Sequence, residues 1–284
     1  MSPVGGWFVS CLRQAFMSDH QQVKNHPVLV EHLSWRALAE LQAAGGDMLV
    51  LPVGATEQHG PHLPVNTDTA IAAAVCAGAS ALTGVPVLPA LAYGVSVGHT
   101  DKWPGTFSLD HETLVATIRQ LASWALRTGW KRLLIVNAHF GNDASLRVAV
   151  DRIRTDYLGQ IQVGLKNTYQ LSPEIWNYFI SDAEDLHANR AETDLMLHIA
   201  PATVRMDWVE DDPDRTAGLV FSYPVSQTSL NGITGRPSLS SAEKGAQLLA
   251  EMAEALARLL RRAATEQPPL DAAHWKSHLT HPSS

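Results

Sequence analysis

The apolar run Asp47-Met48-Leu49-Val50-Leu51-Pro52-Val53 leads within a few residues into Glu57-Gln58-His59-Gly60-Pro61-His62 and Asn66-Thr67-Asp68-Thr69. An alanine-rich stretch over 70–82 follows. The run reads as a buried strand, and the alanine-rich stretch as a helix that Thr67 or Asp68 is suited to start. Strand, polar loop and helix in that order are the unit of an open α/β sheet. Such sheets bind ligands at the carboxyl ends of their strands, and Glu57, His59 and Asp68 leave a strand end together. Two carboxylates and an imidazole are donors that a hard-to-borderline divalent metal takes. Taken alone, the same letters also fit a polar loop ending in a helix-capping aspartate.

The same order recurs along the chain. Residues 85–88, Arg132-Leu133-Leu134-Ile135-Val136 and Ile161-Gln162-Val163-Gly164-Leu165 read as further strands. Helices are expected over 33–41 with Ser34 as cap, over 110–128 with Asp110 as cap, and over 143–157. Another opens near 185–193 and ends before Pro201. Leu248, Leu249, Met252, Leu256 and Leu259 mark a long C-terminal helix, for which Ser240 and Glu243 form a capping box. The pattern predicts one α/β domain over 31–264, a mostly parallel β-sheet sandwiched by helices. A flexible leader (1–30) and a tail (265–284) flank it. The long loop 89–108 reads as a wall of the active site, with an ordinary surface excursion as the alternative. Residues 207–237, rich in Asp, Pro, Gly and Ser, read as an excursion over the surface or against a neighbouring subunit.

Composition narrows the function. The formal net charge is −7, with no block of Lys or Arg, which argues against nucleic acid as a partner. No stretch approaches the roughly 20 apolar residues of a membrane span. Cys11 and Cys76 have no CxxC neighbour, so neither a disulfide framework nor a thiolate metal site is expected, and a reducing cytoplasm is the natural compartment. The apolar start over 1–16 is too short for a signal peptide and lacks its basic flank, and Met17 is an alternative start.

Several longer pieces are specific. They are Leu51-Pro52-Val53-Gly54-Ala55-Thr56-Glu57-Gln58-His59-Gly60-Pro61-His62-Leu63-Pro64, Asn66-Thr67-Asp68-Thr69, Trp103-Pro104-Gly105-Thr106-Phe107-Ser108-Leu109, Val136-Asn137-Ala138-His139-Phe140-Gly141-Asn142 and His187-Ala188-Asn189-Arg190-Ala191-Glu192-Thr193. Gly232-Ile233-Thr234-Gly235-Arg236-Pro237, running into Ala242-Glu243-Lys244-Gly245, is weaker. In this order the pieces resemble the creatininase (creatinine amidohydrolase) family. The resemblance implies a single α/β domain with two divalent metal ions per subunit, zinc, manganese or iron. Carried over, Glu57 and His139 look like ligands of one metal and His59 of the other, with Asp68 shared. The family's creatinine-hydrolysing members carry a further carboxylate two residues after the His139 position, where this chain has Gly141. Glu192 is the candidate replacement, as ligand and catalytic residue. His187 matches the position that hands a proton to the leaving nitrogen. Trp103, His99 and Tyr169 are candidates for contacts with substrate. The tryptophans that clamp creatinine are replaced by Ala183 and a Tyr169-Gln170 pair, which argues against creatinine itself.

The function expected is hydrolysis of a C–N bond in a small cyclic amide or a formamide by metal-activated water. A peptidase of the mycofactocin-maturation type and a non-catalytic metal-binding protein are the alternatives. The resemblance also implies a homo-oligomer, with a hexamer as one form.

Overall fold

The computed structural model describes residues 26–99 and 102–275. Expectations for 1–25, including Cys11 and the alternative start at Met17, and for 276–284 lie outside the described residues. The first helix, α1 (Trp35–Ala43), starts at Ser34, whose hydroxyl oxygen accepts from Ala37 N–H. Strand β1 (Met48–Val53) is buried throughout. Then come α2 (Thr67–Thr83), α3 (His111–Arg127), β2 (Arg132–Asn137), α4 (Asp143–Asp156) and β3 (Gln162–Asn167). Helices α5 (Pro173–Phe179), α6 (Arg190–Ile199), the short α7 (Val225–Thr228) and α8 (Ala242–Ala263) complete the chain.

The three strands are parallel in the order β1-β2-β3, with Met48 opposite Arg132 and Arg132 opposite Gln162. This register puts Val53, Asn137 and Asn167 in one row, so the loops that follow leave the sheet at the same edge. Side chains alternate between faces. Met48, Val50, Leu134 and Val136 pack with α2, α6 and α8 through Ile71, Val75, Leu195, Met252 and Leu256. Leu49, Leu51, Val53, Leu133 and Ile135 pack with α3 and α4 through Leu114, Ile118, Leu146 and Ile153. Both faces are covered, which is why these strands read as unbroken apolar runs.

Several expectations are corrected. Residues 85–88 form no strand. Val87 alone makes parallel bridges, to Val50 on one side and Leu29 on the other. Pro86 and Pro89 have no N–H to extend the ladder. Strand β3 begins at Gln162 and runs to Asn167, two residues beyond the expected end. The cap of α8 is Ser241, whose hydroxyl oxygen accepts from Lys244 N–H, while Ser240 donates its hydroxyl to Arg190 O. Neither Thr67 nor Asp68 caps α2: Thr67 donates to Pro64 O, and Asp68 turns toward His59 and His139. Residues 207–237 do not merely run over the surface. Asp212, Ser229, Ile233 and Thr234 are buried, and Thr234 pairs antiparallel with His187. No described helix is long and apolar enough to cross a membrane.

The start of α2 is pressed onto the end of β1. A Cβ at Gly54 would lie 2.6 Å from Thr69 Oγ1 and closer still to the Thr69 backbone. Gly54→Ala is therefore expected to push α2 outward and cost about 1–3 kcal/mol, the usual penalty of overpacking. Chemical denaturation of the variant beside the wild type measures this.

Candidate metal centre

Each side chain of the centre is placed by a local device. Glu57 is pinned by its N–H to Val65 O at 2.9 Å. Asp68 lies in the first turn of α2. His139 leaves β2 through a turn in which Asn137 Oδ1 accepts from His139 N–H at 3.2 Å and Asn137 Nδ2 donates to His139 O at 2.7 Å. Asn142 ties that turn to its neighbours, donating to Gly54 O at 2.9 Å and accepting from Val95 N–H at 2.8 Å. Glu192 sits in the first turn of α6, where Asn189 Oδ1 accepts from its N–H at 3.2 Å. His187 is held by backbone pairing with Thr234 and is followed by Ala188 at φ 49°. That left-handed backbone is strained for a residue with a Cβ, and the pairing of His187 before it and the buried Asn189 amide donating to Phe179 O after it maintain it.

These elements converge. Asp68 splits its carboxylate: Oδ1 lies 3.3 Å from His59 Nε2, and Oδ2 lies 3.2 Å from His139 Nδ1. Glu57 Oε2 is 3.3 Å from His139 Nε2. Its Oε1 is 3.4 Å from His187 Nδ1 and 3.5 Å from His99 Nε2. Donor atoms of Glu57, Asp68 and His139 lie within 4.8 Å of one another, and so do those of His59, Asp68 and Glu192. A third such set is Glu57, His99 and His187. Glu57, His59, Asp68 and Glu192 are each no more than 4% exposed.

The hydrogen bonds fix which ring nitrogens are bare. A backbone carbonyl can only accept. Glu57 O is 3.1 Å from His59 Nδ1, Val95 O is 2.8 Å from His139 Nε2, and Gln58 O is 2.7 Å from His187 Nε2. In their neutral forms these rings therefore carry the proton on the outer nitrogen and turn a lone pair inward. Locking by a second partner on the far nitrogen is the usual arrangement of a metal-ligating histidine. Each lone pair faces a carboxylate oxygen, so acceptor meets acceptor. Glu57 Oε1 and Oε2, Asp68 Oδ2 and Glu192 Oε2 are buried without a hydrogen-bond partner. No Lys or Arg pairs with any of the three carboxylates among the described residues. Such an arrangement calls for cations between the oxygens and the nitrogens, and the donor set fits a pair of divalent metals.

With no metal, protons take that place. Burial lowers the affinity of His59 for a proton, but Asp68 above all overcomes it and raises the pKa to about 10. Burial likewise acts downward on His139, and Glu57 and Asp68 carry it up to about 9. Burial, partly offset by His59, pushes Glu192 up to about 7. Burial and then the neighbouring His99 and His59 hold His187 well below the ordinary imidazole value, so it is neutral.

The centre opens into a cavity of about 370 Å³. His99, His187, Phe140 and Tyr223 are among its lining. Trp103 and Tyr169 are not. The Lys102 ammonium lies 4.7 Å from the Trp103 ring, and Tyr169 is buried behind the wall, stacked on Phe140 at 3.9 Å. His111, at the start of α3, also lines the cavity and bonds Ser145 Oγ at 2.7 Å. His62 is buried, with Nε2 2.9 Å from Thr193 Oγ1. Sequence reasoning missed Gln58, whose side-chain amide bonds His99 and whose backbone carbonyl accepts from His187, and Phe140 as a wall. Gln58 lies inside the first motif, between two ligand candidates; nothing in the sequence marks Phe140 as exposed to the cavity.

Fold and site together define an α/β domain with a centre of carboxylates and imidazoles fit to hold metal at the carboxyl ends of a parallel sheet. The family model for creatininase, creatinine amidohydrolase, matches residues 31–260. The chain is 31% identical to creatinine amidohydrolase of Pseudomonas putida over 262 residues, 85% of this chain and 98% of that one. It is 34% identical to the mycofactocin precursor peptide peptidase of Mycolicibacterium smegmatis over 231 residues, covering 76% of this chain and 85% of that one. The crystal structure of a creatinine amidohydrolase superposes with a TM-score of 0.74 at 28% identity, over 85% of this chain and 99% of that one. The chain belongs to the creatininase family, a family of hydrolases acting on carbon–nitrogen bonds.

At Gly141 a Cβ would lie 2.6 Å from His139 Nε2 and run into Val95 O. Gly141→Ala is expected to break the Val95–His139 bond, cost about 1–3 kcal/mol and lower bound metal. Gly141→Glu is expected to do the same without adding a ligand. Denaturation and elemental analysis of both variants check this.

Proposed function

We propose that the protein is a metal-dependent amidohydrolase that cuts the C–N bond of a small cyclic amide or a formamide. Glu57, Asp68 and His139 hold one divalent cation, and His59, Asp68 and Glu192 the other. The observation that carries this is the divided carboxylate of Asp68, which faces two imidazoles whose far nitrogens are locked by backbone carbonyls. Zinc, manganese and iron all suit these donors. Related solved creatininase structures include a Zn–Zn form and an Mn form.

Such a cation pair supplies Lewis acidity toward a carbonyl and a water acidified to near neutrality. The chain's own groups do the rest. His187 is neutral, with its proton on Nε2 held by Gln58 O, so Nδ1 is free to take a proton from the attacking water. It then gives that proton to the departing nitrogen, so acid and base are one ring. Glu192, buried in the lining of the same cavity, shares in proton transfer. Phe140 offers an apolar wall, and His99 a polar one.

A second reading is peptide cleavage. It is supported by the mycofactocin peptidase relatives and by exposed apolar residues at the mouth, Val97 (54% exposed) and Tyr223 (45%). Side-by-side assays of cyclic amides, formamides and a short C-terminal peptide separate the two. We also propose a cytoplasmic homo-oligomer, for which Val220 and Phe221, 90% and 75% exposed, supply apolar surface.

Metal removal tests the centre. Dialysis against chelator is expected to abolish turnover, and two equivalents of zinc or manganese per chain to restore it. Asp68→Asn is expected to lose both ions and more than about 100-fold in activity, beyond what an outer-shell change costs. Elemental analysis and kinetics measure both.

Metal binding should also depend on pH. In the metal-free chain His59 is protonated below about 10 and His139 below about 9. Cations need both lone pairs, so loading at pH 7 is expected to release protons, and affinity to rise as pH climbs toward 9. Calorimetry in buffers of different ionisation enthalpy reads the proton count. No proton release at pH 7 would count against this assignment.

A further inference from the structure

We propose that Gln58 is a positioning residue: its side-chain amide fixes the ring tautomer of His99, so that the His99 Nε2–H faces Glu57 Oε1 and holds that carboxylate in place. The proposal rests on the reading of Glu57 as a metal ligand.

Gln58 is buried between Glu57 and His59, 4% exposed. Its Oε1 accepts from Gly60 N–H at 2.9 Å. That bond sets the amide's orientation, because a backbone N–H can only donate. The amide nitrogen then faces His99 Nδ1 at 3.0 Å, His187 Nε2 at 3.0 Å and Gly232 O at 3.4 Å. It has only two hydrogens for three neighbours. His187 Nε2 drops out, since it donates to Gln58 O at 2.7 Å and has no lone pair left to accept. The two hydrogens fall to His99 Nδ1 and Gly232 O. His99 Nδ1 is thus an acceptor, and the proton of the neutral ring sits on Nε2.

The consequence reaches Glu57. Its Oε1 is buried with no hydrogen-bond partner. His187 presents a bare Nδ1 to it at 3.4 Å, and His99 presents Nε2 at 3.5 Å. Of these two rings only His99 brings a proton. The contact is electrostatic at this distance rather than a full hydrogen bond. It steadies Oε1 and so holds the carboxylate in one orientation beside Asp68 and His139. The far loop keeps this clear: Gly232, at φ 82°, approaches so closely that a Cβ there would run into the Gln58 amide. Outer partners of a ligating group are worth about 10–100-fold in metal affinity.

The test uses the zinc-loaded full chain labelled with ¹⁵N in histidine. Long-range proton–nitrogen spectra are expected to show His99 and His187 each neutral and protonated on Nε2. Gln58→Glu keeps the shape and the Gly60 bond but turns the donor into an acceptor. It is expected to move the His99 proton to Nδ1, leave His187 unchanged, and weaken zinc about 10–100-fold in chelator competition. Gln58→Met, of similar length with no donor, is expected to lose the single His99 tautomer, and serves if the glutamate variant does not fold. A wild-type His99 protonated on Nδ1 overturns the proposal, as does Gln58→Glu with tautomer and zinc affinity unchanged. None of these readouts needs turnover. Failure on every amide with the stated tautomers would therefore sink the hydrolase reading and leave this one standing.

Discussion

Glu57, Asp68 and Glu192 are buried in one place with no lysine or arginine to balance them among the described residues. Removing a carboxylate from water costs several kcal/mol unless it is paired, by order of magnitude. Three together make that burden the constraint that the local structure answers. Among the described residues imidazoles are the only positive groups at hand, and they are positive only while they hold a proton. The raised pKa values of His59 and His139 measure how strongly the carboxylates demand positive charge. A divalent cation meets the same demand by taking the imidazole lone pairs in place of the protons. The level strand ends, the close approach at Gly54 and the Asn189 cap all serve to bring these groups to one point.

Much of this was legible because the donors sit in short motifs tied to regular elements. Glu57 and His59 follow β1, His139 follows β2, and Asp68 and Glu192 each lie in the first turn of a helix. An apolar run before a polar motif fixes the direction in which the motif leaves the sheet. What failed depended on contacts distant in sequence. Residues 85–88 have the composition of a strand, but two prolines limit them to bridges at Val87. Residues 207–237 have no periodicity, yet Thr234 pairs with His187 and Gly232 covers Gln58. No local pattern announces such a pairing, because Thr234 lies 47 residues from His187. The Ser240 assignment failed for a similar reason: its hydroxyl is engaged by Arg190 on another helix.

The aromatic wall shows how a residue type can be read correctly and its position wrongly. Tyr169 was expected near substrate, where a tryptophan stands in creatinine-hydrolysing relatives. It is buried, stacked on Phe140 at 3.9 Å and nearly parallel at 9°. Phe140 is the ring that reaches the cavity, turned outward by the short helical turn after His139. Trp176 packs at 6.4 Å from Phe140 and 6.2 Å from Tyr169, so the wall is the tip of an aromatic cluster. A ring held by stacking offers a flat apolar face. With Ala183 buried and small, the cavity does not offer two indoles to grip a ring.

Gly141 gives the departure from the creatinine-hydrolysing pattern a physical meaning. A carboxylate at this position is absent, and the space its side chain would start from is taken. Val95 O lies where the Cβ would go, and it is the acceptor that fixes the His139 proton on Nε2. A side chain at 141 and this backbone acceptor would therefore compete for the same space. The acceptor turns the His139 lone pair toward Asp68 Oδ2, so the ring faces the shared carboxylate through Nδ1. The third buried carboxylate of the centre comes from elsewhere in the chain. The cap on α6 provides it, because Asn189 anchors the turn that points Glu192 at His59 and Asp68. The bare backbone at 141 leaves room for the acceptor that orients His139, and the capped helix at 190 brings a third buried carboxylate to the same point.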